Sequence, residues 1–91
     1  MFATLEEAKN YLRIDNESED DLINTMITTG IQLCVEVTRT DMETLANYPE
    51  LCKTAVLYTV AYLYEHREER DHHELITMLK YLLFPIRREV F

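Results

Sequence analysis

The residues of this chain best placed to do chemistry lie in one run, Glu65-His66-Arg67-Glu68-Glu69-Arg70-Asp71-His72-His73-Glu74. Glu69 and His72 have the Glu-x-x-His spacing with which helical bundles hold pairs of iron or manganese ions. That chemistry needs a second such motif and two further glutamates turned into a core. The sequence supplies neither, and the match sits in its most polar segment. Structural metals likewise need several convergent donors. We therefore read the run as a solvated helix end and loop of mixed charge, with no metal site. His66 with His72 or His73 could take up metal adventitiously, which says little about function.

Nucleophilic and phosphate chemistry fare no better. Cys34 could act with a histidine from elsewhere, but a thiol in an apolar stripe is protonated and inert. Cys52 has the same setting. The two cysteines form no CxxC and no disulfide framework, so both are read as small core residues. Gly30 is the only glycine, which leaves no glycine-rich phosphate loop. Tyr58, Tyr62 and Tyr64 could be taken for a base-stacking platform, yet at helical spacing among valines and leucines they read as packing or interface. A formal net charge of −8 argues against holding DNA through its phosphates. Arg87-Arg88 is the one adjacent basic pair. No catalytic residue and no cofactor site is expected.

The elements that would position these residues are helices. Ala55 to Tyr64 is apolar or aromatic but for Thr59. Pro49 suits a first helical turn, whose amide has no partner in any case. With no glycine and no second proline as far as Arg67, the segment is too long for an ordinary strand and suits a buried central helix. Before it, Thr4-Leu5-Glu6-Glu7 reads as a capping box opening a short helix that ends near Arg13 or Ile14. Asp15 to Ser18 is turn chemistry, and Ser18 with Asp21 offers a second cap.

A long helix then runs from about Glu19 to Thr38. Ile23, Ile27, Gly30, Ile31 and Cys34 lie along one stripe, and Leu22, Met26, Leu33 and Val37 along its neighbour. Gly30 costs about 1 kcal/mol relative to alanine inside a helix, which close approach of another helix would justify. Met42 to Ala46 can form a turn. Leu75, Met78, Leu79, Leu82 and Leu83 give a last amphipathic helix, stopped by Pro85. The fold class that follows is all-α, a small bundle of four to five helices around a central apolar helix.

One domain spanning 1–91 accounts for the whole sequence, with 86–91 as a docking tail. In that tail Ile86, Arg87, Arg88, Val90 and Phe91 mix apolar and basic groups outside any helical stripe, as suits an extended segment that adds to a partner's surface; the alternative is that Phe91 folds back to cover the central helix. At this size the fold buries only about 60–65% of its unfolded surface, but 47% hydrophobic residues are enough for a core. Glu17, Glu19, Asp20 and Asp21 are the densest acidic group and suit the positive end of a helix dipole. The opening residues lack the regions of a signal peptide, and the longest apolar run is too short for a membrane span. Synthesis in a reducing cytoplasm is expected.

Thr4-Leu5-Glu6-Glu7-Ala8-Lys9-Asn10-Tyr11-Leu12-Arg13-Ile14-Asp15 resembles the opening of the head–tail connector, or adaptor, proteins of tailed bacteriophages and prophages. The acidic turn from Glu17 to Asp21 follows as in that family, then a long helix closing in a threonine-rich turn, Val35-Glu36-Val37-Thr38-Arg39-Thr40. A proline-led apolar helix ends in Tyr64-Glu65-His66-Arg67-Glu68. Leu82-Leu83-Phe84-Pro85-Ile86-Arg87 is similar to the family's terminal motif. The order and spacing of these pieces carry the resemblance. One departure is Asp71-His72-His73, where the family often has a turn containing proline or glycine.

The resemblance implies a helical virion protein without enzymatic activity. It implies a homo-oligomeric ring, dodecameric in the virion, at the head–tail interface. Its partners would be the portal protein and a tail or stopper protein, with DNA passing through unbound and no membrane involved. Synthesis would be in the cytoplasm of the bacterial host. On this reading the tail residues dock on the portal or on a neighbouring subunit, and the acidic group faces the DNA passage. One physical observation agrees. A central helix apolar nearly all round, with only short helices to cover it, would leave apolar surface for a neighbour. The alternative is a small helical regulator or inhibitor that binds another protein. Mass in solution, alone and with portal, separates the two.

Overall fold

Thr4 opens the fold in the way its spacing predicts. In the computed structural model, which describes residues 2–68 and 71–86, its hydroxyl accepts from the Glu7 amide at 3.1 Å. Its own amide donates to the Glu7 carboxylate at 2.9 Å. This capping box starts α1, Leu5–Leu12. The helix closes on Arg13, whose backbone is left-handed (φ 61°) and whose amide returns to the carbonyls of Lys9 and Asn10.

The second cap differs from expectation. Ser18 gives its amide and hydroxyl to the Asn16 carboxamide oxygen, at 3.1 and 2.6 Å. An Asx turn has taken the side chain that was to cap the helix. Glu19 occupies the cap position of α2, Asp20–Thr38, without a capping side-chain bond. Asp20 and Asp21 lie in the first turn, and Arg39 ends the helix in a second left-handed conformation (φ 56°). Asp41 caps the single turn α3, Met42–Leu45, by accepting from the Thr44 amide at 2.8 Å. Pro49 begins α4, Pro49–Glu65, and α5 spans His73–Leu82. Among the described residues there is no strand.

The pair α2 and α4 forms the centre, with α1 and α5 packed against both. Ile23, Met26, Ile27 and Cys34 of α2 are buried with Cys52, Ala55, Val56 and Val60 of α4. Gly30 lies where the two helices close up: a Cβ there would stand 3.3 Å from Thr59 Cβ and 3.4 Å from Val56 Cα. The expected reason for this glycine holds. Two buried threonines satisfy their hydroxyls on the preceding turn, Thr38 to the Cys34 carbonyl at 2.7 Å and Thr59 to the Ala55 carbonyl at 2.9 Å. Leu45 of α3 and Leu75, Leu79 and Leu83 at the C-terminal end complete the core.

Polar ties hold the ends. Lys53 on α4 donates to Glu7 at 2.7 Å, and Lys9 pairs with Asp20 at 2.8 Å. Glu19 accepts from the Tyr64 hydroxyl and from Arg67 at 2.9 Å, while the Arg67 guanidinium lies over the Tyr64 ring. These bonds hold two carboxyls below their ordinary range, Glu7 chiefly through Lys53 and Glu19 chiefly through Tyr64.

One further expectation is corrected. Ile86 was placed in a tail outside the core, but it is only 5% exposed and belongs to the core. After Leu82 the chain turns, and the Ile86 amide bonds to the Leu83 carbonyl at 2.9 Å. The turn continues the inward spacing of Leu75, Leu79 and Leu83 past the end of the helix. The central helix is covered only in part, as expected: Leu51, Leu57, Tyr58, Leu63 and Tyr64 are half-buried. Among the described residues none of the exposed large apolar side chains lies within α4; they lie on the other helices or, for Tyr48 and Phe84, in the turns beside α4 and α5.

Candidate assembly surface

The uncovered apolar surface follows from the two stripes of α2. The first packs against α4, with Ile31 left half-buried. The second, Leu22, Met26, Leu33 and Val37, is covered only in part: Met26 and Val37 are buried, Leu33 is half-buried and Leu22 is exposed. The result is a groove of about 810 Å³ between α2, the end of α4 and the start of α5. Leu22, Met26 and Leu33 line it with Leu63 and Ile76, while Arg67 and His72 stand among its polar lining. Past Leu33 and Ile76 it meets a smaller cleft of about 230 Å³ that reaches Lys80.

A second exposed edge lies on α5 and the turn after it. Tyr81 is 74% exposed, Phe84 55% and Met78 39%. Sequence reading missed this edge because Met78 was counted with the inward stripe. Leu75, Leu79 and Leu83 are the residues that point in. The three-residue spacing of Met78, Tyr81 and Phe84 was the available signal.

Of the four acidic residues singled out, Glu19 and Asp20 are engaged within the chain, by Tyr64 and Arg67 and by Lys9. Glu17 and Asp21 are exposed. All four sit at or just before the start of α2. Of the tail, Ile86 is buried, while Arg87, Arg88, Val90 and Phe91 lie outside the described residues. So does Glu69, the partner that the Glu-x-x-His spacing would give His72.

A family model described as the phage gp6-like head–tail connector protein matches residues 2–83. The chain belongs to this connector family. The match takes in α1 to α5 and stops short of Pro85 and Arg87, on which the terminal part of the resemblance rests. Comparison with curated proteins and with solved structures gave no match.

A head–tail connector is a structural component of the phage virion, not a class of enzyme. In this connector two of the three histidines, His66 and His72, are engaged in packing. His66 stacks on the buried Tyr62 ring with centroids 4.1 Å apart, and its Nδ1 lies 2.8 Å from the Tyr62 carbonyl. His72 meets the same ring edge-on at 5.8 Å. Among the described residues no three histidine, cysteine or acidic side chains are placed to hold a metal ion. Burial pushes the Cys34 thiol up to about 12, with a smaller contribution from Cys52, and burial raises Cys52 as well. Neither thiol is a nucleophile at neutral pH. No helix among the described residues is long and apolar enough to cross a membrane.

Proposed function

We propose that this connector works by assembly and not by catalysis: copies close into a ring that joins the portal to a tail or stopper protein, and DNA passes through without specific binding. Family membership carries the reading. The groove supports it as an open depression lined by Leu22, Met26, Leu33, Leu63 and Ile76, apolar side chains that a neighbouring subunit would cover. The resemblance to connectors suggests twelve copies in the virion. The net charge of −8 suits a passage that must not retain DNA, since affinity for phosphate grows with each basic contact. Glu17 and Asp21, exposed and not absorbed by internal ion pairs, are the stronger candidates to face that passage. Arg87, Arg88, Val90 and Phe91 are assigned to attachment on the portal.

Negative-stain imaging of the protein alone and mixed with portal rings tests this. Rings, alone or seated on portal, are expected. A species that stays monomeric and never decorates portal overturns the proposal. Deleting 87–91 should leave helicity and melting intact and abolish portal attachment.

A further inference from the structure

We infer that the groove over α2 and α5 receives the Met78–Tyr81–Phe84 edge of a second copy of this chain, head to tail. The inference rests on the assembly reading above and names the two surfaces that meet. The first argument is angular. Ile76 lines the groove and Tyr81 forms the exposed edge, on the same helix. Five residues at 3.6 per turn place them about 140° apart. The two apolar surfaces therefore flank α5 on nearly opposite sides. One copy can fill a neighbour's groove while its own stays open for the next, which is the condition for a heterologous contact.

The second argument is shape. The groove is concave and lined by aliphatic side chains, whereas the edge presents Tyr81 and Phe84 outward. An aromatic anchor in an aliphatic pocket is how interface hot spots are built. Two grooves facing each other would bury neither edge, and a two-fold pair in which each edge fills the other's groove would need both surfaces on one side of α5, against their angular separation.

The third argument is area. An aromatic side chain offers roughly 150–250 Å². At exposures of 74%, 55% and 39%, Tyr81, Phe84 and Met78 together present about 300 Å², against about 800 Å² per partner in a stable standard interface. A single contact is therefore weak. It persists when each copy makes two, one at the groove and one at the edge, and further contacts add as the ring closes or seats on a template.

Crosslinking tests the pairing. Thr29→Cys places a thiol in the groove, and Thr77→Cys places one a turn before Tyr81. Cys34 and Cys52 are buried and do not compete. The two variants are mixed, assembled alone or on portal, imaged, and treated with a bifunctional maleimide. The mixture should give crosslinked pairs joining one variant to the other, and neither variant alone should give any. Crosslinks within the Thr29→Cys sample alone would show grooves facing each other and overturn the inference. Rings without mixed crosslinks would also overturn it while leaving the assembly reading standing. Absence of any ring would remove both. Tyr81→Ala, at an exposed site, should keep its helicity and weaken association roughly tenfold or more. Unchanged association would count against Tyr81 as the anchor.

Discussion

At Gly30 an added side chain meets the central helix pair directly. A Cβ at this position would lie 3.3 Å from Thr59 Cβ and 3.4 Å from both Val56 Cα and Val56 Cγ1. Gly30→Ala sets two effects against each other. Helix propensity favours alanine by about 1 kcal/mol, while the methyl group must displace Thr59 by a few tenths of an ångström. The net change should stay within about 1 kcal/mol of zero. Gly30→Leu gains nearly the same propensity but drives an isobutyl group into the seam, where Val56 presents backbone and cannot yield. Overpacking of this kind costs about 1–3 kcal/mol or more, and the upper end applies because α2 and α4 are the central pair. A domain of this size loses roughly 4–8 °C of melting temperature per kcal/mol, so Gly30→Leu should melt about 10–20 °C lower. Circular dichroism melts and urea titrations read both variants. If Gly30→Leu matches the parent, α2 and α4 do not meet at Gly30 and the packing argument is wrong.

Acid should loosen the fold through two carboxyls. Glu7 and Glu19 are held below the ordinary value of 4.5, so their contribution is whole above that pH and is lost as pH falls through the lower folded values. Stability of the Glu7→Gln/Glu19→Gln variant should therefore depend less on pH between about 5 and 3 than that of the parent. An unchanged slope would show that the ties to Lys53 and Tyr64 do not matter. The thiols of Cys34 and Cys52, raised by burial, should resist a thiol-reactive dye at pH 8 and react once the protein is denatured. Rapid labelling of the native protein would contradict their placement. Ile86→Ala should cost about 2–4 kcal/mol in urea titration, as truncation of a buried aliphatic does. A loss below 0.5 kcal/mol, on the order of a surface change, would return Ile86 to a tail.

Elements whose signals are local and unopposed were legible. Thr4 and Glu7 need only each other, Pro49 can stand in a helix only near its start, and a lone glycine among bulky neighbours implies a close approach. Ser18 departs from the expected cap because the Asn16 carboxamide oxygen, two residues earlier, accepts both its amide and its hydroxyl proton and turns the side chain away from the helix start. Ile86 was misread because Pro85 ends a helix without ending its inward spacing. The site was half legible. The second stripe of α2 was visible as a pattern, but periodicity shows which residues share a face and not how far a neighbour reaches along it. That Met26 is covered and Leu22 is not depends on how the neighbouring helices lie, which is a tertiary fact. The family motifs pointed to the connector family, while the groove and the aromatic edge became visible only in the folded chain.

The two left-handed arginines bear on the denatured chain more than on the native one. Helix ends of this form usually fall to glycine, which adopts the conformation freely but leaves a looser coil when the protein unfolds. Here Arg13 and Arg39 accept backbone strain at φ 61° and 56°, and the sole glycine is kept for the helix crossing. Every other position carries a side chain that narrows its backbone options, so the unfolded ensemble is poorer in conformations than that of a glycine-capped bundle. Folding then gives up less disorder. For a chain this short, part of its stability thus comes from the state it leaves and not only from the contacts it makes.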